Sequence, residues 1–500
     1  KNHNIWPAES ALIYIDNCED IVLQNINCEG ATDLAVAVLN SANFTLCSLN
    51  LNNGGRALTI GGCYNGSISG LNAAFNGNTN NTYDYAATVD VTFSENIKFS
   101  NCNINGNSKN FVSDYFDTNS GIFSVFNSCD VVMSDSYITG NTSYAEITAD
   151  NHFFVVMIQY SLGCYFTNVH MENNYLDVYD YSGYNGYMYV AAAQSVSKVS
   201  FDNCTADGCY IYGDTYCELY GWLSDGDFDQ VNLAFKLNNC SFDNCYLDNT
   251  INSSYLNAYS AICTSGYEQS NCTANNMTVN YIGNWDFNGD YSGYIMGTYL
   301  VGNVNGGKIT NFSSNNCICV EDCTSVFMLF LSGVVVSGGQ FSSNYSDNSN
   351  TTGVMVVPTD DCIVDNCVST SSYAWGDCTG VYLDDAYTCQ IKNCSANDMY
   401  GDDGIGVGFR FENNCRYCIT QDCSANKNFF GFYDDSIDCN AFFGNTGFEN
   451  SASGPFDSNF MICGNDNTAV HLVNDSSPNE WVVLPSTGLT RWTNVSIYYD

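Results

Sequence analysis

The sequence predicts an all-β solenoid, a parallel β-helix of about fifteen coils that ends in an irregular segment. Three observations predict it. The 500 residues include 68 Asn, 42 Gly and 36 Tyr against 8 Lys and 4 Arg. Asn and Gly are poor helix formers whereas Tyr, Phe and Val suit strands, so this composition asks for strands joined by many turns. A pentapeptide recurs around cysteine: "NCTAD" at Asn203–Asp207, "NCTAN" at Asn271–Asn275, "NCSAN" at Asn393–Asn397 and "DCSAN" at Asp422–Asn426. The segments that carry it, or a variant of it, are spaced about 21 residues apart near the start and mostly 27 to 36 later.

The units run from "IVLQNINCEG" (Ile21–Gly30) through "NIKFSNCNINGN" (Asn96–Asn107), "KVSFDNCTADGC" (Lys198–Cys209) and "CIVDNCVSTS" (Cys362–Ser371) to "CITQDCSANKN" (Cys418–Asn428). Each has one grammar. A short alternating strand such as Val199-x-Phe201 meets a polar bend, Asp202-Asn203. A second short strand puts Cys204 and Ala206 on one face, and an Asn/Gly turn and a variable loop follow. A third strand, such as "GVYL" at Gly380–Leu383, leads to another cysteine, as at Cys129, Cys164, Cys362, Cys389, Cys415 and Cys439. No 3.6-residue apolar period appears, leucine is too scarce for a leucine-rich repeat, and a propeller blade needs four longer strands. Residues 1–450 are expected to form the helix. The grammar fails over 451–500, where Pro455, Pro478 and Pro485 collect, so that stretch is expected to cap the last coil or to contact a partner, such as a second copy of the chain.

This repeat grammar resembles the right-handed parallel β-helix, or pectate-lyase-like, superfamily over roughly residues 11 to 450. The resemblance is clearest in "GFRFENNCRYCITQDCSANKNFFGFYDDSIDCNAFFGNTGF" (Gly408–Phe448), which looks like the superfamily's non-enzymatic repeat members. It implies coils stacked about 4.8 Å apart, so that equivalent positions form columns. Cys28, Cys102, Cys204, Cys240, Cys272, Cys367, Cys394 and Cys423 are expected to share one such column as small apolar core residues.

The chain has 27 Cys, an odd number, and Cys209 and Cys245 fall at the same offset in consecutive units, making them the disulfide candidate. Cys317, Cys319 and Cys323, and the pair Cys415 and Cys418, are read as disulfide or packing cysteines before metal ligands. N-glycosylation motifs stand at Asn43, Asn65, Asn80, Asn141, Asn203, Asn239, Asn252, Asn271, Asn276, Asn311, Asn344, Asn350, Asn393, Asn474 and Asn494. Chance alone would give about eleven in so Asn-, Ser- and Thr-rich a chain. Many cysteines with few lysines favour an oxidising, extracellular or cell-surface home. The chain opens on Lys1 without a signal-peptide pattern and reads as a mature or trimmed product.

A net charge of −41 excludes a nucleic-acid partner, which needs clustered Lys and Arg, and disfavours anionic membranes. The longest apolar run, "VFMLFL" at Val326–Leu331, is the length of a strand and far short of a membrane helix. No cofactor is expected beyond weak binding of Ca²⁺ by surface carboxylates. The superfamily's lyases use a Lys or Arg base beside Ca²⁺, and its polygalacturonase branch uses paired aspartates. "TDDCIV" at Thr359–Val364 and "DDGIGV" at Asp402–Val407 resemble the latter's Asp-Asp motif. Its companion Asn-Thr-Asp, His-Gly and Arg-Ile-Lys motifs are absent, and Asp-Asp recurs at Asp384/Asp385 and Asp434/Asp435 as a corner feature. The sequence therefore points to no catalytic set. It points to an extracellular structural or adhesive glycoprotein of a fibre or coat, partnered by copies of itself and by glycans. A polysaccharide-active enzyme or lectin on the same fold is the alternative.

Overall fold

The computed structural model describes residues 11–78, 87–111, 118–146, 151–179, 185–213, 216–225, 233–249, 255–263, 267–281, 292–301, 306–436, 440–450, 458–462, 468–470, 473–475 and 482–483. These fall into two compact units, Lys1–Asn257 with Tyr281–Tyr291, and Ala258–Asn280 with Ser292–Asp500. Each unit is built of right-handed parallel β-helix coils, and among the described residues every named strand pairing is parallel.

One coil of the second unit shows the plan. Thr351–Val357 forms a long first face, Ile363–Asp365 and Val368–Thr370 form short second and third faces, and Tyr373–Ala374 adds a two-residue fourth. Cys378–Asp384 then begins the next coil directly beside Thr351–Val357. The fourth face is an addition to the three strands expected. Two residues make no hydrophobic pattern that periodicity could detect. In the first unit the early coils lack it, since Leu34–Leu39 and Ala42–Asn52 lead straight to Arg56–Gly61.

The core consists of columns, one residue per coil. In the first unit Phe99, Met133, Phe166, Phe201 and Leu237 lie in consecutive register and are all buried. Phe166 and Phe201 stack at 4.8 Å between ring centroids. In the second unit Val326, Val354, Val381, Phe409, Phe432 and Phe460 do the same. Parallel in-register pairing puts like on like, which is why such a chain can hold its core with very short strands.

The abundance of Asn follows from the corners. The bend between the second and third faces needs a left-handed backbone, and in the first unit Asn25, Ser48, Gly70, Asn101, Asp135, Asn168, Asn203 and Asn239 all take φ between 48° and 63° there. In the second unit Asn271, Asn311, Gly338, Asn366, Asn393, Asp422 and Gly444 take φ between 51° and 68° there. Asn and Gly tolerate this region, which costs other residues roughly 1–2 kcal/mol. The leading Asn of the pentapeptide is thus a backbone device. Asn393 also donates from Nδ2 to Asp365 Oδ1 at 2.9 Å. Asn393→Gly is expected to change stability by less than 1 kcal/mol, and Asn393→Val to destabilise by about 1–2 kcal/mol, read from denaturant midpoints.

The cysteine column is real with one exception. Cys102, Cys204 and Cys240 in the first unit, and Cys272, Cys367, Cys394 and Cys423 in the second, follow the bend and point inward. Cys28 does not belong with them. The pairing of Val22–Glu29 with Ala42–Asn52 sets Cys28 opposite Leu51 and Ile26 opposite Leu49. Cys28 is therefore buried two residues further along, a register that only the neighbouring coil decides.

Among the cysteines whose side chains are described no disulfide is formed. Cys209 and Cys245, the disulfide candidate, occupy adjacent positions in successive coils. Each Sγ is directed at a carbonyl of the preceding coil, Cys209 at Met171 and Cys245 at Ala206. Burial pushes the Cys164 thiol up to about 12. Hydrogen bonds from Ser69 and Ser48 instead pull the surface thiol of Cys47 down. Native protein treated with iodoacetamide is expected to modify Cys18 and Cys47 first, and the buried thiols only after unfolding, as read by peptide mass spectrometry.

Parallel pairing also continues past residue 450. Ser458–Ile462, Thr468–Val470 and Val473–Asp475 pair with strands of the preceding coil, and Val482–Val483 pairs with Ser458–Ile462. The coil pattern outlasts the repeat grammar because backbone pairing tolerates any side chain that fits the column. Pro455, Pro478, Pro485 and Cys439 lie outside the described residues.

Candidate active site

Acidic pairs singled out in the sequence do not converge. Asp360 and Asp361 sit at an exposed corner leading into the second face, where Asp361 takes φ 55° and accepts from the Thr388 hydroxyl. Asp402 follows the fourth-face strand Tyr400–Gly401 and accepts from the Tyr400 hydroxyl. Asp384 and Asp385 are likewise corner residues, each accepting from an Asn of the next coil, Asn413 and Asn414. Asp434 is wholly buried and accepts from Ser436.

The carboxylates that do come together lie on the outer side of the third face of the first unit. His170, Thr205 and Ser241 form one outward row in three successive coils. Two residues further along, Glu172, Asp207 and Asp243 form a second row, fixed by the bonds Asn173 N to Asp207 O and Gly208 N to Asp243 O. Successive coils put neighbouring members of this row about 4.8 Å apart at the backbone. Elsewhere in this row of the first unit stand Glu29, Asn52, Ala74, Asn105 and Thr139, so three consecutive carboxylates are a local departure.

Their environments differ. Asp207 accepts from the backbone N–H of Asp243 at 2.9 Å and from the Ser241 hydroxyl at 2.8 Å. Burial nevertheless pushes its carboxyl above the usual range, with the charges of Asp243 and Glu172 adding to the shift. Glu172 accepts from the Thr205 hydroxyl at 2.5 Å and lies 3.2 Å from His170 Nδ1. Nδ1 is also 3.0 Å from Thr205 Oγ1. Since Thr205 gives its proton to Glu172, Nδ1 must be the donor to both, which assigns the His170 tautomer and leaves Nε2 for other partners. The exposed Tyr137 ring stacks on His170 at 4.9 Å and 16°.

Two carboxyl groups held one coil apart, one of them biased to keep its proton, are the parts needed for acid–base work on a glycosidic bond. Asp207 suits the acid. Glu172, oriented by Thr205 and His170, suits the nucleophile or base. Sequence reasoning missed this site because Glu172, Asp207 and Asp243 are 35 and 36 residues apart and match no linear motif. The one available signal was column arithmetic: three acids at one offset in consecutive units.

Aromatic rows run along other faces, some of them buried. On the first face of the first unit Phe154, Tyr189 and Tyr220 stack at 4.6 and 4.8 Å, and Glu218 accepts from the hydroxyls of Tyr216 and Tyr220. On that face in the second unit Arg410 lies between the rings of Tyr382 and Tyr433 and pairs with Asp377 and Glu412. Tyr345, Tyr373 and Tyr400 stack along the fourth face of the second unit at 5.2 and 5.4 Å.

Of the glycosylation motifs, Asn43, Asn203, Asn239, Asn271, Asn276, Asn311 and Asn393 stand at exposed left-handed corners, Asn65 at a half-buried one, and Asn350 is exposed. Asn141 and Asn344 are corrections. Both are buried, Asn141 wholly, with the amide turned into the core, so neither offers its nitrogen to a glycan in the folded chain. Asn474 lies in the strand Val473–Asp475, and Asn80, Asn252 and Asn494 fall outside the described residues.

No family model matches the chain, and no curated protein matches it. Solved structures similar to it are phage tailspikes. A double mutant of the tailspike protein of E. coli bacteriophage HK620 in complex with pentasaccharide is 9% identical, with a TM-score of 0.29, covering 86% of this chain and 70% of that one. The HK620 tailspike in complex with pentasaccharide is also 9% identical, with a TM-score of 0.25 and the same coverage. Tailspike protein 3 of bacteriophage CBA120 is 11% identical, with a TM-score of 0.20, covering 86% of this chain and 55% of that one. These values carry no argument about residues or chemistry. The expectation that the chain is not an enzyme is corrected: it rested on missing linear motifs, and the carboxylates of the third face come together without one. The chain is a right-handed parallel β-helix solenoid.

Proposed function

We propose that this protein is a surface or appendage component that binds glycans and hydrolyses them on the third face of its first unit. The observation that carries this reading is the carboxylate row, with Asp207 pushed toward its protonated form between Glu172 and Asp243. Asp207 protonates the departing glycosidic oxygen while Glu172 attacks the anomeric carbon, and Asp207 then takes a proton from the water that releases the sugar from Glu172. Adjacent carboxylates one coil apart suit the shorter separation of retaining enzymes, about 5–5.5 Å, and so a net retention of configuration. The tailspikes bound to pentasaccharide accord with a glycan partner. An extracellular setting, and assembly of copies into a fibre or coat, belong to the same proposal.

A second reading, an adhesive subunit that binds glycan without cutting it, draws on the Tyr345–Tyr373–Tyr400 row, where Tyr345 and Tyr400 are exposed. Because the rings face one another, what they offer a ligand is a comb of edges and hydroxyls. The two readings separate on one measurement. Incubation with a panel of neutral polysaccharides is expected to release new reducing ends. Retention of glycan with no new ends, at any pH between 4 and 8, favours the adhesive reading and refutes hydrolysis.

A further inference from the structure

We infer that the third face of the first unit is a binding track for an extended, uncharged polysaccharide lying along the solenoid, with one sugar on each coil. This rests on the reading of Glu172 and Asp207 as the cleavage site, and it adds the substrate class and the direction in which the chain lies.

The row that holds His170, Thr205 and Ser241 runs back through Tyr137 to Asn103, Asn72, Asn50 and Asn27, one residue per coil in unbroken register. The amides are linked. Asn103 Nδ2 donates to Asn72 Oδ1 at 3.2 Å, Asn72 Nδ2 to Asn50 Oδ1 at 2.7 Å, and Asn50 Nδ2 to Asn27 Oδ1 at 2.7 Å. Each amide is thereby held in one orientation. A carboxamide has two N–H donors and two acceptor sites, and the ladder takes one donor from each of these three. Their second N–H, with spare acceptor capacity at Asn27, Asn72 and Asn103, is left on the outer side. The parallel row of Asn52, Ala74, Asn105 and Thr139 is small and uncharged.

These features choose the occupant. Fixed donors at Asn50, Asn72 and Asn103, with acceptors at Asn27, Asn72 and Asn103, repeat at about 4.8 Å, a spacing close to the length of one residue in an extended glycan chain. Sugar hydroxyls both donate and accept, so they match an amide row without any charge. Between Asn50 and Tyr137 neither row carries a cation, and the chain as a whole stands at −41, so a uronate or sulfated polymer would meet repulsion and no counter-charge. Tyr137 closes the amide row at the coil next to His170 and Glu172, and a chain laid on the amides would reach the carboxylates from that side.

The test uses full-length Asp207→Asn protein, so that binding is read without turnover. It is presented with linear neutral oligosaccharides of two to eight residues from gluco-, manno-, galacto- and N-acetylglucosamine series, and with oligogalacturonates of equal length. At least one neutral series is expected to gain affinity by about threefold or more for each added sugar up to six, with no such gain for the uronates. Asn72→Ala and Asn103→Ala should each lower affinity for six-residue chains more than for two-residue chains. Asn27→Ala, at the exposed end of the ladder, gives the same comparison while removing only one bond between coils, the one donated by Asn50 Nδ2. Affinity that does not change with length in any neutral series, or uronates bound as well as neutral chains, overturns the track. Cleavage by the unmodified protein is scored separately. Cleavage with length-independent binding sinks the track alone, and length-dependent binding with no cleavage sinks the catalytic reading alone.

Discussion

Asp207→Asn is expected to lower the rate of glycan hydrolysis by about 100- to 10,000-fold, the range over which a positioned general acid contributes. Asn keeps the shape and still accepts from Ser241 and from the Asp243 backbone, so the fold and glycan binding should survive while the proton is lost. The pH dependence follows from the direction of the Asp207 shift. Its carboxyl titrates above the ordinary aspartate value of 3.8, and activity that needs the protonated form declines as pH rises through that raised value. The stability linkage has the same origin. Between 3.8 and the raised value the folded chain holds a proton that the unfolded chain has released, so stability falls across that window as pH rises. At neutral pH Asp207→Asn should therefore unfold slightly later than the parent, by about 0.5 kcal/mol, the scale of like charges placed opposite one another on strands. The difference should vanish below pH 3.8, where the carboxyl is protonated in both states. A variant that retains full activity, or a parent whose activity does not decline toward alkaline pH, rules out Asp207 as the acid.

Asn141→Ala is expected to cost about 3 kcal/mol or more, the largest stability effect among these substitutions. Asn76, Asn107, Asn141 and Asn174 form an amide ladder buried inside the corner of the first unit. Asn141 Oδ1 accepts from the backbone N–H of Asn107 at 3.0 Å and from its Nδ2 at 2.9 Å. Asn141 Nδ2 donates to Ile104 O at 3.1 Å and to Asn174 Oδ1 at 3.0 Å. Alanine would leave these groups buried and without partners, each at roughly 1–3 kcal/mol when it cannot reach water. Hydrogen exchange at the Asn107 amide should accelerate first, before the coils distant from it respond. Peptide mapping of secreted protein should find Asn141 without glycan even where Asn203 or Asn393 carries one. Near-parent stability of Asn141→Ala, or a glycan on Asn141 in folded protein, would refute the ladder.

The repeat grammar made the architecture legible. Corner Asn and Gly, the inward cysteine and the alternating short strands are each fixed within a dozen residues, so local sequence reports them. Cys28 shows the limit of that reading. Its segment, "NINCEG", matches the pentapeptide column by eye, yet its place is set by the pairing of Ile26 with Leu49. Asn141 shows it again: the motif Asn-Thr-Ser looks like a surface signal, and only the stacking of Asn107 and Asn174 against it turns the amide inward. The common offset of Cys209 and Cys245 makes them neighbours in successive coils, while the direction of each thiol, toward a carbonyl oxygen of the preceding coil, is set by the fold.

Sequence by itself determined that this is a parallel β-helix and roughly how its coils begin and end, because those features depend on near neighbours and on a period. Tertiary structure alone decided which outward residues meet. Glu172, Asp207 and Asp243 are remote along the chain and carry no motif, and they become one charged row only because coils of unequal length return to the same register. The variable loops between units set those lengths, so the chemistry of the surface follows from stacking, where side chains 35 residues apart become nearest neighbours.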